Sequence, residues 1–336
     1  MKREIFKFKN SKGMTIKGVL FAPETKPLAP AVLYLPGAVL GPTAVHRLGV
    51  DLACRLADDG HATCLFDPSG VGESEGDYPA GTHQEVSAWV EAGNCVEDTI
   101  ETIDFLSSRF GLRDFLLVGH CGGALTAVYA APGQRAIRSL FLISPPTVLV
   151  GEHDELDNAG MAESYFKLYA SKAFSPEAWR RLLSGQSSYR TIARLVTTRV
   201  KRQLGRLRGR SASTPVVEMT GANAQTHGGK EISETVEAAA HAGEKSRVFN
   251  QRFLEALKTA HSEGKRIAIV VGDRDPGAPD FRAFARQHLP SGVATRIFDE
   301  TSHGFITENS LALLFGEVVS FIGNVNRPGP PAAAPG

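Results

Sequence analysis

Residues 115–124 read FLLVGHCGGA. The four apolar residues 115–118 have the character of a buried strand, and this run stops at Gly119. Cys121 follows, with further glycines at positions 122 and 123. Glycine lets the backbone turn sharply and lets neighbouring segments approach closely. Together with the helical stretch 124–131, this segment predicts a strand that turns tightly into a helix and presents one reactive side chain at the turn.

Strand-like and helical stretches alternate on both sides of this segment. Strand-like runs lie at 14–23, 31–36, 61–67, 139–144, 267–272 and 294–298. Helical patterns lie at 43–59, 94–110, 247–260 and 281–287, and a last helix has Leu311, Leu314, Phe315, Val318 and Ile322 on one face. Strands that alternate with helices indicate βαβ units. The sequence therefore predicts an α/β fold with a mostly parallel central sheet flanked by helices.

The strand pattern disappears between Pro146 and Lys265. We interpret 147–246 as a helical cap inserted late in the sheet, between the core segments 1–146 and 247–324. Within it, 189–210 is strongly basic, and 211–245 is polar and rich in turn residues, which predicts a mobile segment. The Pro- and Gly-rich end, 325–336, predicts a disordered tail.

Composition limits the classes of partner. The 336 residues have a net charge of +1, so no overall field would draw the chain to nucleic acid or to a membrane. The first 13 residues lack the apolar core of a signal peptide, and no apolar run approaches the roughly 20 residues of a membrane-spanning helix. We expect no transmembrane segment and a cytoplasmic protein with reduced thiols.

No pattern predicts a metal or a cofactor. The four cysteines, at 54, 64, 95 and 121, form no CxxC pair, and the scattered histidines lack ligand spacing. The glycine-rich segments have neither the P-loop lysine nor the GxGxxG spacing of nucleotide-binding loops.

The turn at Cys121 has the form G-x-Nu-x-G of a nucleophile elbow, which usually carries serine. Taken alone, the motif also fits a buried structural cysteine. His120, beside the nucleophile, is expected to point into the core, and contact with the site is the alternative. Asp275 and His303, however, each follow a strand-like run, which puts nucleophile, acid and histidine in that order at strand ends. The alternative is that Asp275 caps a helix and His303 is a surface residue.

With these motifs, the chain resembles α/β-hydrolase-fold enzymes over nearly its whole length, cap included. The resemblance implies that Cys121 is the nucleophile, Asp275 the acid and His303 the base. Asp273 is a second candidate for the acid, but the family's usual spacing after the glycine favours Asp275.

Two further segments match the same family. Residues 35–38, LPGA, correspond to the oxyanion loop, which implies the N–H groups of Ala38 and Gly122 as the two donors, although Pro36 stands where the family often has histidine. Residues 67–74, DPSGVGES, resemble a D-x-R-G-x-G-x-S turn in which Ser69 replaces arginine. We interpret this turn as structural and Ser74 as no nucleophile.

A closer resemblance is to the exosortase-system-associated hydrolase family of bacteria. It rests on the cysteine at the elbow and on residues 165–185, YFKLYASKAFSPEAWRRLLSG. The cysteine elbow is also similar to those of polyhydroxyalkanoate synthases and dienelactone hydrolases. The long predicted cap argues against the compact dienelactone enzymes.

Cysteine favours thioester substrates. Attack of a thiolate on an oxygen ester is uphill, whereas its attack on a thioester is nearly balanced. The basic segment could dock coenzyme A or an acidic acyl carrier protein through arginines at four positions: Arg199, Arg202, Arg206 and Arg208. A solvated helix face or a site for anionic lipid are the alternatives there.

The sequence therefore predicts a cysteine-dependent thioesterase or acyltransferase. A carboxylic ester or lactone hydrolase is the first alternative, and a non-catalytic hydrolase-like scaffold is the second. A role in biosynthesis is a hypothesis by analogy. The aromatic residues of the predicted cap could roof an acyl pocket, but packing of the cap on the core is the favoured interpretation, so the substrate-binding residues stay unassigned.

Overall fold

The computed structural model describes residues 1–37, 47–77, 83–148 and 248–325. Most of the predicted cap 147–246, with its basic and polar segments, lies outside the described residues, as does the tail from residue 326. The boundaries predicted for these segments remain predictions.

Within the described residues, eight strands form one sheet in the order β1-β2-β4-β3-β5-β6-β7-β8. Only the β1–β2 and β2–β4 pairs are antiparallel, so the predicted mostly parallel sheet is confirmed. The strands are β1 (Lys2–Lys9), β2 (Thr15–Ala22), β3 (Leu28–Leu35), β4 (His61–Asp67), β5 (Phe115–His120), β6 (Ile137–Ile143), β7 (Arg266–Gly272) and β8 (Ala294–Phe298).

The described helices flank this sheet, as predicted. They are α1 (Leu48–Asp58), α2 (His83–Glu91), α3 (Val96–Phe110), α4 (Gly122–Ala130), α5 (Gln251–Ser262), α6 (Ala278–His288) and α7 (Glu308–Val325). Two of these elements, β1 and α2, lie where no strand or helix was predicted. In β1, Phe6 is buried while its neighbour Ile5 is exposed, and the lysines around them hide the alternation.

Alternating strand residues supply two hydrophobic cores, one on each face of the sheet. On β5, Leu117 belongs to one core and Leu116 and Val118 to the other. Helices α3 to α6 cover the first face, and α1 and α7 cover the second. The short helix α4 is buried almost all round, which holds the turn at its start firmly against the sheet.

Strand order brings distant parts of the chain to one edge of the sheet. Strand β6 ends at Ile143 and β7 begins at Arg266, yet the two pair directly and in parallel. Because β5, β7 and β8 all run in the same direction, the residues that follow their carboxyl ends lie along the same edge. Cys121, Asp275 and His303 are among these residues.

Among the residues that the structure describes, no helix combines the length and the apolar character needed to cross a membrane.

Candidate active site

Cys121 occupies the turn between β5 and α4 in a strained backbone conformation. Its φ is 53° and its ψ is −118°, a combination that side-chain-bearing residues rarely adopt. Its backbone N–H donates to the carbonyl of Ile143 at 2.8 Å, and its own carbonyl accepts from Ala124 N–H at 2.9 Å. The thiol is therefore held by backbone contacts to β6 and α4, and its side chain is half-buried.

The glycines on either side of the thiol are required by close backbone packing. A Cβ atom at Gly119 would lie 2.4 Å from the carbonyl oxygen of Gly123. A Cβ atom at Gly123 would lie 2.0 Å from the carbonyl oxygen of Leu35. Since no side chain fits at either position, the glycines of the motif allow β3, β5 and α4 to meet beneath Cys121.

The loop after β3, for which an oxyanion role was predicted, lies beside the thiol. A Cβ atom at Gly37 would lie 3.5 Å from Cβ of Cys121. Gly122 is the first residue of α4, where backbone N–H groups have no partner within the helix. Ala38, the other predicted donor, lies outside the described residues.

His303 lies on the loop that follows β8. Its Nδ1 is 2.8 Å from Oδ2 of Asp275, and since a carboxylate accepts, Nδ1–H is the donor. Glu300 and Phe305, with φ of 53° and 50°, turn the backbone sharply on either side of it. Phe305 is buried against Phe298 of β8, with ring centroids 5.7 Å apart, and it anchors the end of the loop.

Asp275 is buried at the turn that follows β7. Only 5% of its side chain is exposed, and its Oδ1 accepts from the backbone N–H of Gly277 at 2.8 Å. Burial alone would raise the pKa of this carboxyl, but the hydrogen bond and the charge of His303 outweigh burial and lower the pKa below its usual value. Asp275 is therefore an ionised acceptor for His303 at neutral pH.

His303 interacts with both of its predicted partners. Burial acts to lower the pKa of its imidazole, but the hydrogen bond to Asp275 and the hydrogen bond and charge of Cys121 raise that pKa to about 10. The protonated imidazole is thus stabilised by the carboxylate of Asp275 on one side and the sulfur of Cys121 on the other. The structure brings Cys121, His303 and Asp275 together in the order expected of nucleophile, base and acid.

Asp273, the second candidate for the acid, makes a different contact. Its Oδ1 accepts a hydrogen bond from the backbone N–H of Thr301 at 3.0 Å. That bond is the main reason that the pKa of Asp273 lies below its ordinary value. Asp273 therefore holds the loop of His303, while Asp275 contacts the imidazole.

His120 was not predicted as a site residue, yet it contacts His303. Its side chain points into the protein, as expected, and is almost fully buried, and its Nε2 lies 2.9 Å from the carbonyl oxygen of His303. The two rings are 5.2 Å apart between centroids. Burial, followed by the nearby His303, lowers the pKa of His120 to about 4. The variable second position of the elbow motif gives no sequence signal for such a contact.

Ser74 lies in the glycine-rich turn after β4. Its Oγ donates to the carbonyl of Asp67 at 2.6 Å and accepts from the backbone N–H of Lys17 at 2.8 Å. Oδ2 of Asp67 accepts from the backbone N–H of Glu73 at 2.9 Å. These bonds close the turn and tie it to β2, which fits the structural role expected for this segment.

Within the described ranges, no group of histidine, cysteine or acidic side chains is arranged to hold a metal ion. All four cysteines are free thiols. Cys64 and Cys95 are buried, and burial raises their pKa values well above that of an exposed thiol.

The comparisons with known proteins support the fold. A family model described as alpha/beta hydrolase fold matches residues 30–205 of the chain. The solved α/β hydrolase GrgF from Penicillium sp. sh18 has 16% sequence identity and a TM-score of 0.52, with 96% of each chain covered. No curated protein sequence matches the chain significantly.

Two further solved structures have similar values. An esterase of Pyrococcus furiosus is 14% identical with a TM-score of 0.54, covering 96% of this chain and 91% of its own. A serine hydrolase homologue from Coxiella burnetii is 16% identical with a TM-score of 0.52, covering 96% of this chain and 98% of its own. At these identities the likeness concerns the fold, and the predicted fold is confirmed.

Proposed function

Because the chain belongs to the alpha/beta hydrolase fold family, we propose that it is a cysteine-dependent acyl-enzyme catalyst that accepts acyl groups from thioesters. The observation that carries the proposal is the strained turn of Cys121 beside the His303–Asp275 pair, whose hydrogen bond measures 2.8 Å. In this proposal Cys121 is the nucleophile, His303 the base and Asp275 the acid that orients it.

The first half-reaction transfers the acyl group to the enzyme. In the resting pair, His303 already holds the proton of the thiol at Nε2, because its raised pKa favours the imidazolium and its Nδ1–H is committed to Asp275. The sulfur of Cys121 attacks the thioester carbonyl, and the oxyanion accepts hydrogen bonds from the N–H of Gly122 and, as the family resemblance implies, of Ala38. The carbon–sulfur bond of the substrate then breaks, and its thiolate leaves with the proton from His303.

The second half-reaction releases the acyl group. An acceptor attacks the acyl-enzyme and gives its proton to His303. The acceptor is water in a thioesterase, and it is an alcohol, an amine or a thiol in an acyltransferase. The bond between the acyl carbon and Cys121 breaks, and the sulfur leaves as the thiolate beside the protonated His303. The enzyme returns to its starting state, and no redox or metal step is required.

Thioesters are the favoured donors for an energetic reason. Exchange of one thioester for another leaves the free energy nearly unchanged, whereas a thiolate that attacks an oxygen ester must form a higher-energy thioester. The acyl group on Cys121 remains activated for transfer in either case. Cysteine in place of the usual serine therefore favours a substrate that already carries its acyl group on sulfur.

The carrier of that sulfur is proposed to be coenzyme A or an acyl carrier protein. Both are acidic, and the basic segment of the predicted cap would suit either one. Arg199, Arg202, Arg206 and Arg208 lie outside the described residues, so the docking role stays a prediction from charge. The closer resemblance to the exosortase-associated family, the cytoplasmic location and the biosynthetic role also remain predictions.

An ester or lactone hydrolase is the second candidate. The same pair of Cys121 and His303 would attack an oxygen ester, and the fold is shared with solved esterases. A non-catalytic scaffold is less favoured, because the φ of 53° at Cys121 costs about 1–3 kcal/mol that a binding protein has no reason to retain.

Intact-protein mass spectrometry tests the proposal. The protein is mixed with acyl-CoA and acyl-pantetheine thioesters of several chain lengths, and with the matching aryl esters. We expect an acyl adduct with the thioesters that Cys121→Ala abolishes. Cys54→Ala, which removes another half-buried thiol, should leave the adduct unchanged and so serves as the control.

The fate of the adduct separates the candidates. Steady release of free acid indicates a thioesterase, and discharge onto an added amine or alcohol indicates an acyltransferase. Turnover of aryl esters with no reaction of thioesters would favour the ester hydrolase. Absence of both adduct and turnover would contradict the catalytic proposal.

A further inference from the structure

His120 and Cys121 are neighbours at the end of β5, and they face two different parts of the site. Cys121 carries the thiol, while the ring of His120 turns inward and is 1% exposed. Nε2 of His120 lies 2.9 Å from the carbonyl oxygen of His303, on the loop after β8. The end of β5 therefore leads directly to the proposed nucleophile and also contacts the backbone of the proposed base.

The chemistry of this contact fixes the state of His120. A carbonyl oxygen only accepts, so Nε2 of His120 carries the proton and Nδ1 carries a lone pair. Nδ1 is buried and has no hydrogen-bond partner among the described residues. Burial and the neighbouring His303 both disfavour a second proton, which would place two cationic rings 5.2 Å apart. His120 is therefore a neutral donor.

We propose that His120 is a positioning residue whose Nε2–H holds the peptide of His303, and thereby the imidazole, at the correct place between Asp275 and Cys121. This inference rests on the proposed function, because it takes His303 as the base. In this proposal His120 neither exchanges a proton with Cys121 nor contacts the substrate.

The other contacts that hold the loop after β8 do not hold the peptide of His303 itself. Thr301 is fixed by two bonds to the turn after β7, since its N–H donates to Asp273 and its carbonyl accepts from Arg274 N–H at 3.0 Å. Phe305 is fixed by burial against β8. These contacts hold the loop on either side of His303, and the bond from His120 holds the peptide of His303 itself.

The support on which His120 stands is rigid. Strand β5 lies inside the sheet, hydrogen-bonded in parallel to β3 on one side and to β6 on the other. Cys121 follows directly in the turn and is tied to Ile143 by its backbone N–H. The distance between sulfur and imidazole is thus set by two consecutive residues at the end of one strand, which is a short and stiff connection.

A purely structural role would not favour histidine here. A buried polar nitrogen without a partner costs about 1–3 kcal/mol, and an apolar side chain of similar size would avoid that cost. Leucine would avoid that cost, but it would also leave the carbonyl of His303 without this donor, so the two effects on stability oppose each other. The contribution that only histidine makes at this position is therefore the bond from its Nε2–H to the peptide of His303.

The test compares His120→Leu with His120→Gln, which differ mainly in the donor. The glutamine amide can offer an N–H near the position of Nε2, and leucine cannot. Both changes are made in a Cys54→Ala background, so that Cys121 is the accessible thiol among the four cysteines. The rate of Cys121 alkylation by iodoacetamide is measured from pH 5 to pH 10, beside thermal unfolding and beside His303→Ala.

We expect His120→Leu to unfold close to the parental temperature, because the lost hydrogen bond and the removed unpaired nitrogen offset each other, but to be alkylated about ten- to a hundredfold more slowly at neutral pH. Its pH profile should move toward that of His303→Ala. His120→Gln should keep most of the parental rate and the parental profile. If the leucine variant does not fold, His120→Met takes its place with the same expectation.

Two results would overturn the inference, and they are distinguishable. If His303→Ala changes the alkylation profile but His120→Leu does not, His120 has no positioning role while the proposed pair stands. If His303→Ala itself leaves the profile unchanged, His303 does not act on Cys121, and the proposed function falls together with the inference.

Discussion

Asp273 and Thr301 are joined by a hydrogen bond of 3.0 Å from the backbone N–H of Thr301 to Oδ1 of Asp273. Thr301 stands two residues before His303, so this half-buried carboxylate holds the start of the histidine's loop. Asp275, two residues further along the same turn, contacts the imidazole directly at 2.8 Å. One turn therefore supplies two carboxylates with different tasks, one on the backbone and one on the ring.

This division predicts unequal effects of removing each acid. Asp275→Ala should slow acylation of Cys121 on the order of 10³- to 10⁴-fold, because the imidazole loses its orientation and its charge partner. Asp273→Ala should slow it by about tenfold or less, since the loop retains its other anchors. Single-turnover acylation by a thioester, followed by mass spectrometry, gives both rates.

Asp273→Asn is the matched control for this pair. The amide oxygen of asparagine still accepts from Thr301 N–H, so this variant should acylate at close to the parental rate. An Asp273→Ala variant as slow as Asp275→Ala would contradict the division and make Asp273 the more important acid.

The close packing beneath Cys121 predicts that Gly123 tolerates no side chain. A Cβ atom there would lie 2.0 Å from a backbone oxygen of Leu35, which cannot move aside without displacing β3. Gly123→Ala should therefore lower the free energy of unfolding by about 3 kcal/mol or more. Denaturant titration followed by circular dichroism measures the loss.

Gly316, within α7, provides the matched control. A Cβ atom there would meet no atom within 4 Å, and no positive φ is involved. Gly316→Ala should leave stability unchanged or raise it by up to about 1 kcal/mol, because alanine favours helix. Equal effects of the two substitutions would show that packing under the elbow is looser than the distances indicate.

The fold and the proposed triad were accessible from sequence because both depend on residue type and position. The glycines at 119 and 123 are needed wherever a strand and a helix meet so closely, and glycine is the one residue that allows it. Asp275 and His303 could be proposed because each follows a strand at the sheet edge where ligand and catalytic groups lie. The glycines of the turn and the positions of Asp275 and His303 after strands can be recognised in a single sequence.

Contacts to the backbone could not be predicted in the same way. His120 and Asp273 both bond to main-chain atoms of the histidine's loop, and every residue of that loop offers the same N–H and carbonyl groups. No particular residue type in that loop therefore indicates that His120 or Asp273 would bond to it. Strand β1 was missed for a different reason, since its exposed lysines interrupt the apolar pattern that marks a strand.

The backbone conformation of Cys121 predicts that glycine at this position gives a more stable protein than alanine does. Its φ of 53° and ψ of −118° strain any residue with a Cβ atom, at a cost of about 1–3 kcal/mol, whereas glycine adopts such angles freely. Cys121→Gly should therefore be more stable than Cys121→Ala by about 1 kcal/mol, after the greater chain entropy of glycine is allowed for. Thermal and denaturant unfolding of the two variants measure the difference.

Both variants lack the thiol, so their comparison isolates the backbone from the chemistry. Neither should form an acyl adduct. An alanine variant as stable as the glycine variant would mean that the turn relaxes once the thiol is removed, and that the strain comes from the side chain's contacts instead of the backbone angles.

The His303–Asp275 pair predicts a specific dependence of stability on pH. The pKa of His303 is raised from 6.5 to about 10, so the folded state binds its proton more tightly than the unfolded state does. The contribution of the pair is then fully present below pH 6.5 and is lost as pH rises toward 10. The pKa of Asp275 is lowered from 3.8, so the same contribution is also lost as pH falls through the acid range.

Comparison of the parental protein with His303→Gln measures this contribution. The difference between their free energies of unfolding should be greatest between about pH 4 and pH 6.5 and should decline as pH rises from 6.5 to 10. The same difference, measured with Asp275→Asn in both proteins, should decline less between pH 6.5 and 10. The reason is that Asp275 provides a hydrogen bond that raises the pKa of His303. A difference that stays constant from pH 6 to pH 10 would mean that His303 titrates alike in the folded and unfolded states, and that the pair is not ionised as the geometry indicates.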